Sequence, residues 1–214
     1  MRALIYVPIV HSEADLGRMA AEIRRQYVAV LGEEGWTRRT GAVDAMWAGV
    51  RDRLLALPLP WSAVRLYQDG LPVCGKETEI VRDVAATGSA NHRLLLELMG
   101  RGATLMGTES AELLVREYRR VQELVRLSRT AGGAGAAAAL EGEGVALLQE
   151  RDAFMARRIL TTLEQGETGI VFCGLLHRID ELIGDDLEVR HVIHNLPFGA
   201  DPWRRLKESS SHGT

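Results

Sequence analysis

Short apolar runs rich in β-branched residues alternate with longer amphipathic stretches along this chain. The clearest runs are ALIYVPIV at residues 3–10, ATLMG at 103–107 and GIVFCG at 169–174. Such alternation of strand-like and helix-like segments is typical of an α/β fold, a mostly parallel sheet with helices on both faces. We therefore predict a single α/β domain over residues 1–206, followed by a polar, disordered tail over residues 207–214.

Amphipathic segments fill the intervals between the predicted strands. Ser12 opens a capping-box pattern that leads into a helix reaching about Leu31, and a second helix over residues 36–56 ends before Pro58 and Pro60. The further predicted elements are a strand with a turn in SAVRLYQDG at 62–70, a helix over 76–100 and a helix over about 110–128.

One segment, AGGAGAAAALEGEG at residues 131–144, has low complexity. Glycine lowers the helical tendency of the alanines, so we predict a mobile loop or a frayed helix entry. This segment is either a lid over a site or a spacer between two long helices.

Composition and charge exclude several classes of partner. The net charge of −3 and the pI of about 6.1 provide no broad positive field for nucleic acid or anionic lipid. We expect no membrane span, since no stretch approaches the roughly 18 consecutive apolar residues that one needs. The start does not resemble a signal peptide, and the two cysteines, Cys74 and Cys173, are expected to be reduced thiols in a cytoplasmic protein.

Three of the predicted strands run into a side chain that can bind a metal. His11 follows the first run, Glu109 follows ATLMG, and His177 comes shortly after GIVFCG. Because ligands of open α/β sheets sit outside the carboxyl ends of the strands, we expect these groups to converge on one crevice. Each also has a structural interpretation, since Glu109 suits a helix N-terminus and His177 suits a helix cap.

Acidic residues near His11 and within one long helix are further candidates. Glu13 and Asp15 follow His11 but also suit an ordinary helix start. Asp152 falls on the apolar stripe of its predicted helix, so it is expected to be shielded from water, either in a buried pair or as a catalytic acid. Glu150 lies off that stripe and is predicted to be solvated. The other histidines considered, His92, His191 and His194, are not assigned to the site.

Four ordered landmarks resemble the TraB/Tiki group and its distant relatives, the erythromycin-esterase-like and ChaN-like proteins. They are PIVH near the start, GATLMGTE, ERDAFMARRI and GIVFCGLLH. The resemblance covers most of the chain through short motifs, and Pro8 stands where the family pattern has glycine. It implies site roles for His11, Glu109, Arg151 and His177, with Glu150 and Asp152 in support. The related proteins include metal-dependent peptidases, metal-free esterases and haem binders.

Two classes of function are therefore expected. In the first, His11, Glu109 and His177 hold a divalent ion such as Mn²⁺, Co²⁺ or Zn²⁺ that activates water against a peptide, amide or ester bond in a peptide or small-molecule substrate. A metal-free form of this hydrolase would use His11 as general base with Glu109 orienting it. In the second, a non-catalytic protein binds a small ligand or metal in the same crevice. The long amphipathic helices would also allow a homodimer.

Overall fold

The computed structural model of the chain describes residues 2–127 and 134–196. Its strands are β1 (Ala3–Ile9), β2 (Val64–Gln68), β3 (Thr104–Met106), β4 (Thr168–Gly174) and β5 (Glu188–His191). Its α-helices are α1 (Ala20–Leu55), α2 (Glu77–Ala86), α3 (Ala90–Gly100), α4 (Ala111–Leu127), α5 (Ala134–Thr162) and α6 (Ile179–Ile183), and a 3₁₀ segment, Glu13–Met19, precedes α1. The predicted α/β class is confirmed.

The strands form one five-stranded sheet in the order β3-β2-β4-β1-β5. Every neighbouring pair is parallel, so all carboxyl ends lie along the same edge. β4 lies in the middle, between β2 and β1, although it is fourth in the chain. The loops that follow strands distant in sequence are therefore neighbours in space.

Each face of the sheet buries its own apolar core. On one face, Ile5, Val7 and Phe172 pack against side chains of α1, α2 and α3. On the other face, Tyr6 and Val171 pack against α5 and α6, and α4 lies against α5. This alternation is the period of two expected of strands buried on both sides.

The helices differ from the predicted boundaries in three places. Gly32 adopts φ 70° and ψ 170°, which breaks α1 close to the predicted end at Leu31. The helix predicted over 76–100 is divided by residues 87–89, where Gly88 has φ 103°. Of the segment predicted as a mobile loop or a frayed helix entry, residues 134–144 form the start of α5, which runs from Ala134 to Thr162, and residues 131–133 lie outside the described residues. The predicted tail lies outside the described residues.

Pro8 is accommodated inside β1 although proline has no backbone N–H to donate. The Tyr6 carbonyl accepts a hydrogen bond from the Val192 backbone N–H, so Tyr6 faces the β5 side. Pro8, two residues further on, faces the same side, beyond the last pair of the ladder, Tyr6 with His191. No ladder hydrogen bond is lost there, and β1 continues to the site.

No helix among residues 2–127 and 134–196 has both the length and the apolar character needed to cross a membrane.

Candidate functional site

The candidate site lies at the carboxyl edge of the sheet, around the end of β4. The helices that follow β1 and β2 cover one face of the sheet, whereas α6, which follows β4, covers the other. The segments that follow neighbouring strands therefore leave β4 and its neighbours towards opposite faces of the sheet. Such a position is the topological switch point, where α/β proteins bind ligands. Into this crevice project His11 after β1, Asp69 after β2 and His177 after β4.

Asp69 is at the centre of the site. Its carboxylate is buried, and its Oδ2 atom accepts a hydrogen bond from the Gly174 backbone N–H at 2.6 Å. The Nε2 atoms of His11 and His177 lie 3.5 Å and 3.7 Å from the same Oδ2 atom. The Oδ1 atom accepts from the side-chain amide of Gln68 at 2.9 Å. Two imidazoles thus converge on one carboxylate oxygen.

His177 is oriented by Asp152, which projects from α5. The Nδ1 atom of His177 lies 2.5 Å from Oδ1 of Asp152, and Oδ2 of Asp152 accepts from the Arg178 backbone N–H at 2.9 Å. An ionised carboxylate only accepts, so Nδ1 donates, and in a neutral ring Nε2 carries the lone pair. Tyr6 donates its hydroxyl hydrogen to the His177 carbonyl at 3.2 Å. The Nε2 atom of His177 therefore faces Asp69.

Glu109 forms a buried, two-pronged ion pair with Arg151. The Arg151 Nε and Nη2 atoms donate to the two carboxylate oxygens at 2.6 Å and 2.7 Å. The Gly70 backbone N–H donates to Oε1 as well, at 2.6 Å. Both Glu109 oxygens are thus engaged by protein donors, and the pair holds the guanidinium against the wall of the crevice.

The charges of the centre reinforce one another. The Asp69 carboxylate raises the pKa of His11 to about 9, although burial and the Arg151 charge oppose this. Burial by itself would raise the pKa of Asp69, but His11, His177 and the Gly174 N–H together hold it well below its ordinary value. Without a bound metal, His11 and Asp69 therefore form an ion pair at neutral pH.

Each imidazole lies at a ligand-like distance from Asp69, although among the described residues the ligand atoms that all fall within 4.8 Å of one another belong to Asp69, Cys173 and His177 and not to His11. Metal bonds of about 2.0–2.2 Å separate neighbouring ligand atoms by about 3–3.5 Å, close to the two distances measured at Asp69. Gly174 leaves room there, because a Cβ atom at this position would lie 3.0 Å from Oδ2 of Asp69 and 3.6 Å from Nε2 of His11. Two imidazoles and one carboxylate are a donor set for Mn²⁺, Fe²⁺, Co²⁺ or Zn²⁺.

Cys173 lies beneath the same centre. One ligand atom from each of Asp69, Cys173 and His177 falls within 4.8 Å of the others. The thiol is fully buried on the α5 side of the sheet, and burial raises its pKa well above the ordinary value. Cys173 is not among the residues that line the crevice.

The crevice opens into a cavity of about 760 Å³. Its floor is the Asp69 centre, and its walls are built by α1, α4 and α5 together with the loop after β4. This volume is within the range of pockets that bind small organic molecules.

The predicted site residues His11, Glu109, Arg151, Asp152 and His177 lie around this one crevice; their chemical roles stay predictions. The predicted burial of Asp152 is confirmed. Glu150 is half-exposed and pairs with Arg116 on the surface, in keeping with its predicted solvation. Asp69 was not among the predicted site residues, because the Asp69-Gly70 pair indicates a turn. A fourth strand that ends on a possible metal ligand was the available signal.

Asp15, the second acidic residue after His11, belongs to a cluster of hydrogen bonds at two helix starts. Asp15 accepts from the Ser12 backbone N–H at 2.7 Å, as expected of a capping box, and also from the Ser89 hydroxyl at 2.5 Å. This supports its structural interpretation, because Ser89 is the N-cap of α3 and is buried. His92 joins the same cluster through a 2.8 Å contact between its Nδ1 atom and the Ser89 hydroxyl.

The two late histidines lie away from the crevice. His191 is at the edge of the sheet, where its Nε2 atom is 3.1 Å from an oxygen of Asp180. The ring of His194 packs against Gly49 of α1, where a Cβ atom would lie 2.1 Å from it.

No known family model, curated protein or solved structure matches the chain. Membership of the TraB/Tiki group therefore stays a prediction from the short motifs.

Proposed function

We propose that the protein is a metal-dependent hydrolase that cleaves an ester, amide or peptide bond. The observation that supports this most strongly is the convergence of the His11 and His177 Nε2 atoms on Oδ2 of Asp69, at 3.5 Å and 3.7 Å. Each distance exceeds that of a good hydrogen bond and suits a pair of ligands of one ion, so binding would require His11 to move towards His177, since His11 is outside the group of ligand atoms within 4.8 Å of one another. Asp69 replaces Glu109 as the carboxylate ligand, since both Glu109 oxygens are bonded to Arg151.

Three further side chains would support the chemistry at this ion. A divalent metal held by His11, Asp69 and His177 would supply a Lewis acid and would lower the pKa of a water molecule. Asp152 keeps the His177 ring in the tautomer and orientation that a ligand needs. Arg151 lines the cavity with a permanent positive charge, suited to the oxygen that becomes negative during attack. Glu109 fixes the direction of that guanidinium.

Elemental analysis of protein purified without added metal is the first test. We expect close to one equivalent of Mn, Fe, Co or Zn per chain, and hydrolysis of a broad ester and amide panel that chelation abolishes. His177→Ala and Asp69→Asn should lose both metal and turnover, whereas His191→Ala at the sheet edge should keep both. Full metal content in the His177→Ala protein would contradict the assignment.

A metal-free hydrolase is the second candidate, and the Asp152 and His177 pair favours it. A carboxylate-oriented imidazole with an open Nε2 atom is also the arrangement of a general base. In this case hydrolysis would persist unchanged after exhaustive chelation. The His177→Ala variant would still be inactive, so chelation separates the two candidates.

A further inference from the structure

The wall above the His11, Asp69 and His177 centre includes a helical arm formed by residues 20–31. Gly32, with its positive φ, ends this arm and turns the chain back on itself. In an unbroken helix, Tyr27 and Arg39 would be separated by about 18 Å. Instead the Arg39 guanidinium lies 4.4 Å from the centre of the Tyr27 ring, and Tyr27 packs on Trp36 with ring centres 5.8 Å apart. The contacts of Arg39 and Trp36 with Tyr27 therefore hold the arm against the part of α1 that follows Gly32.

Two helices present matching faces to the cavity. From the arm, Ile23 and Tyr27 line it, one turn apart. From α5 on the opposite side, Val145 and Leu148, three residues apart, also line it. Leu176, in the loop after β4, also lines the cavity. The space above the catalytic floor is thus bordered by apolar side chains on three sides.

Two of these apolar side chains are exposed to solvent. Val145 is 60% exposed and Leu176 is 64% exposed, although both border a cavity rather than a convex surface. Folding leaves this area uncovered, and its burial by a ligand would be favourable.

The charged groups of the wall balance one another. Above the floor, Arg39 and Arg120 line the cavity together with Glu117 and Glu141, so these four formal charges cancel, and the charge of Arg151 beside the floor is paired with Glu109. Arg120 donates to both carboxylate oxygens of Glu117, at 3.0 Å and 2.8 Å. The wall therefore favours an uncharged group over an anionic or cationic one.

We propose that the substrate is an ester or amide with a medium-chain, uncharged acyl arm, seated between residues 20–31 and α5. The scissile carbonyl lies at the floor and the hydrocarbon contacts Ile23, Val145 and Leu148. This inference rests on the proposed function for the position of the bond to be cleaved. The apolar seat itself is independent of the metal.

Calorimetric titration of straight-chain carboxylic acids from acetate to decanoate tests the seat. We expect affinity to rise about fourfold for each methylene that enters it, until the chain reaches the mouth of the cavity. The rise should occur in both metal-loaded and chelated protein. Equal affinities along the series, or no binding of octanoate and decanoate, would overturn the inference.

Two valine variants localise the binding. Val145→Asp should weaken decanoate binding about tenfold or more, because it places a charge beside the hydrocarbon. Val115 is a matched control, since it is 47% exposed on α4 and does not line the cavity. Val115→Asp should bind decanoate as the unmodified protein does. Equal losses in both variants would show that the hydrocarbon binds elsewhere and would overturn the inference.

Hydroxamates of the same chain lengths separate this inference from the proposed function. A hydroxamate should bind more tightly than the matching carboxylate only while the metal is present. A chain-length dependence without any effect of metal would refute the metal centre and leave the apolar seat intact. A metal effect without chain-length dependence would support the metal centre and overturn the apolar seat.

Discussion

Replacing Asp152 by asparagine tests the proposal that Asp152 orients His177 for metal binding. Asp152 is buried and accepts from two donors, the His177 ring and the Arg178 backbone N–H. The asparagine side chain has one acceptor and one donor group, so it can satisfy only one of them. If its amide nitrogen faces the ring, Nδ1 becomes the acceptor and the proton moves to Nε2. The atom directed at Asp69 then has no lone pair for a metal.

The size of the effect follows from these contacts. One buried donor left without an acceptor costs about 1–3 kcal/mol, so we expect Asp152→Asn to lower the free energy of unfolding of the metal-free protein by that amount. Loss of a carboxylate behind a metal-binding histidine lowers metal affinity about 10- to 100-fold. The variant should therefore fold but release its metal.

Urea denaturation and competition with a chromophoric chelator measure the two quantities separately. Asp180→Asn is the control, because Asp180 contacts His191 at the sheet edge and not the crevice. It should leave metal affinity unchanged. Metal affinity of Asp152→Asn within about twofold of the unmodified protein would refute an orienting role worth 10- to 100-fold.

Three further predictions concern the neighbouring groups. Glu109→Gln should lower the free energy of unfolding by about 3–5 kcal/mol in urea denaturation, because it leaves the Arg151 charge buried without its partner; a loss below about 1 kcal/mol would contradict a buried pair. Gly174→Ala should reduce metal affinity in the chelator assay, since its methyl group would occupy the space beside Asp69, whereas Gly142→Ala, with open space around it, should have no effect. Burial opposes ionisation of Asp15, but hydrogen bonds outweigh it and lower the Asp15 pKa to about 2. A carboxyl group with a lowered pKa in the folded state stabilises the fold at pH values above its unfolded-state pKa, and this stabilisation is lost as the pH falls. Asp15→Asn should therefore be about 2 kcal/mol less stable than the unmodified protein at neutral pH, and this difference should disappear between about pH 4 and pH 2 in acid denaturation. A stability difference that does not change with pH would contradict this role of Asp15.

The edge on which the site forms could be predicted from the sequence. In a parallel sheet every strand ends at the same edge, so an apolar run followed by His11 and another followed by His177 indicate one crevice before the strand order is known. The burial of Asp152 was equally predictable, because its place on the apolar stripe follows from the helical period. Neither argument requires knowledge of which groups touch.

The partners of each group could not be predicted, because they depend on the strand order. β4 lies between β2 and β1, which brings Asp69 between His11 and His177. Asp69 also precedes Gly70 in an Asp-Gly pair, the commonest kind of turn signal, and Gly70 does adopt φ 73°. The turn was correctly predicted, and because a turn accounts for an aspartate, no site role was predicted for Asp69. Glu109 was assigned to the metal because nothing local to it indicates Arg151 as its partner.

The three proposed ligands come from loops after three different strands, and the residue that orients His177 comes from a helix between the third and fourth strands of the chain. The shortest segment that contains all four residues runs from residue 11 to residue 177, so ion binding would require β1, β2 and β4 to be assembled together. A titratable metal would thus act as a reporter of native topology: a circularly permuted chain with the same strand order should take it up, and a protein cut into separate halves should do so only when the halves recombine.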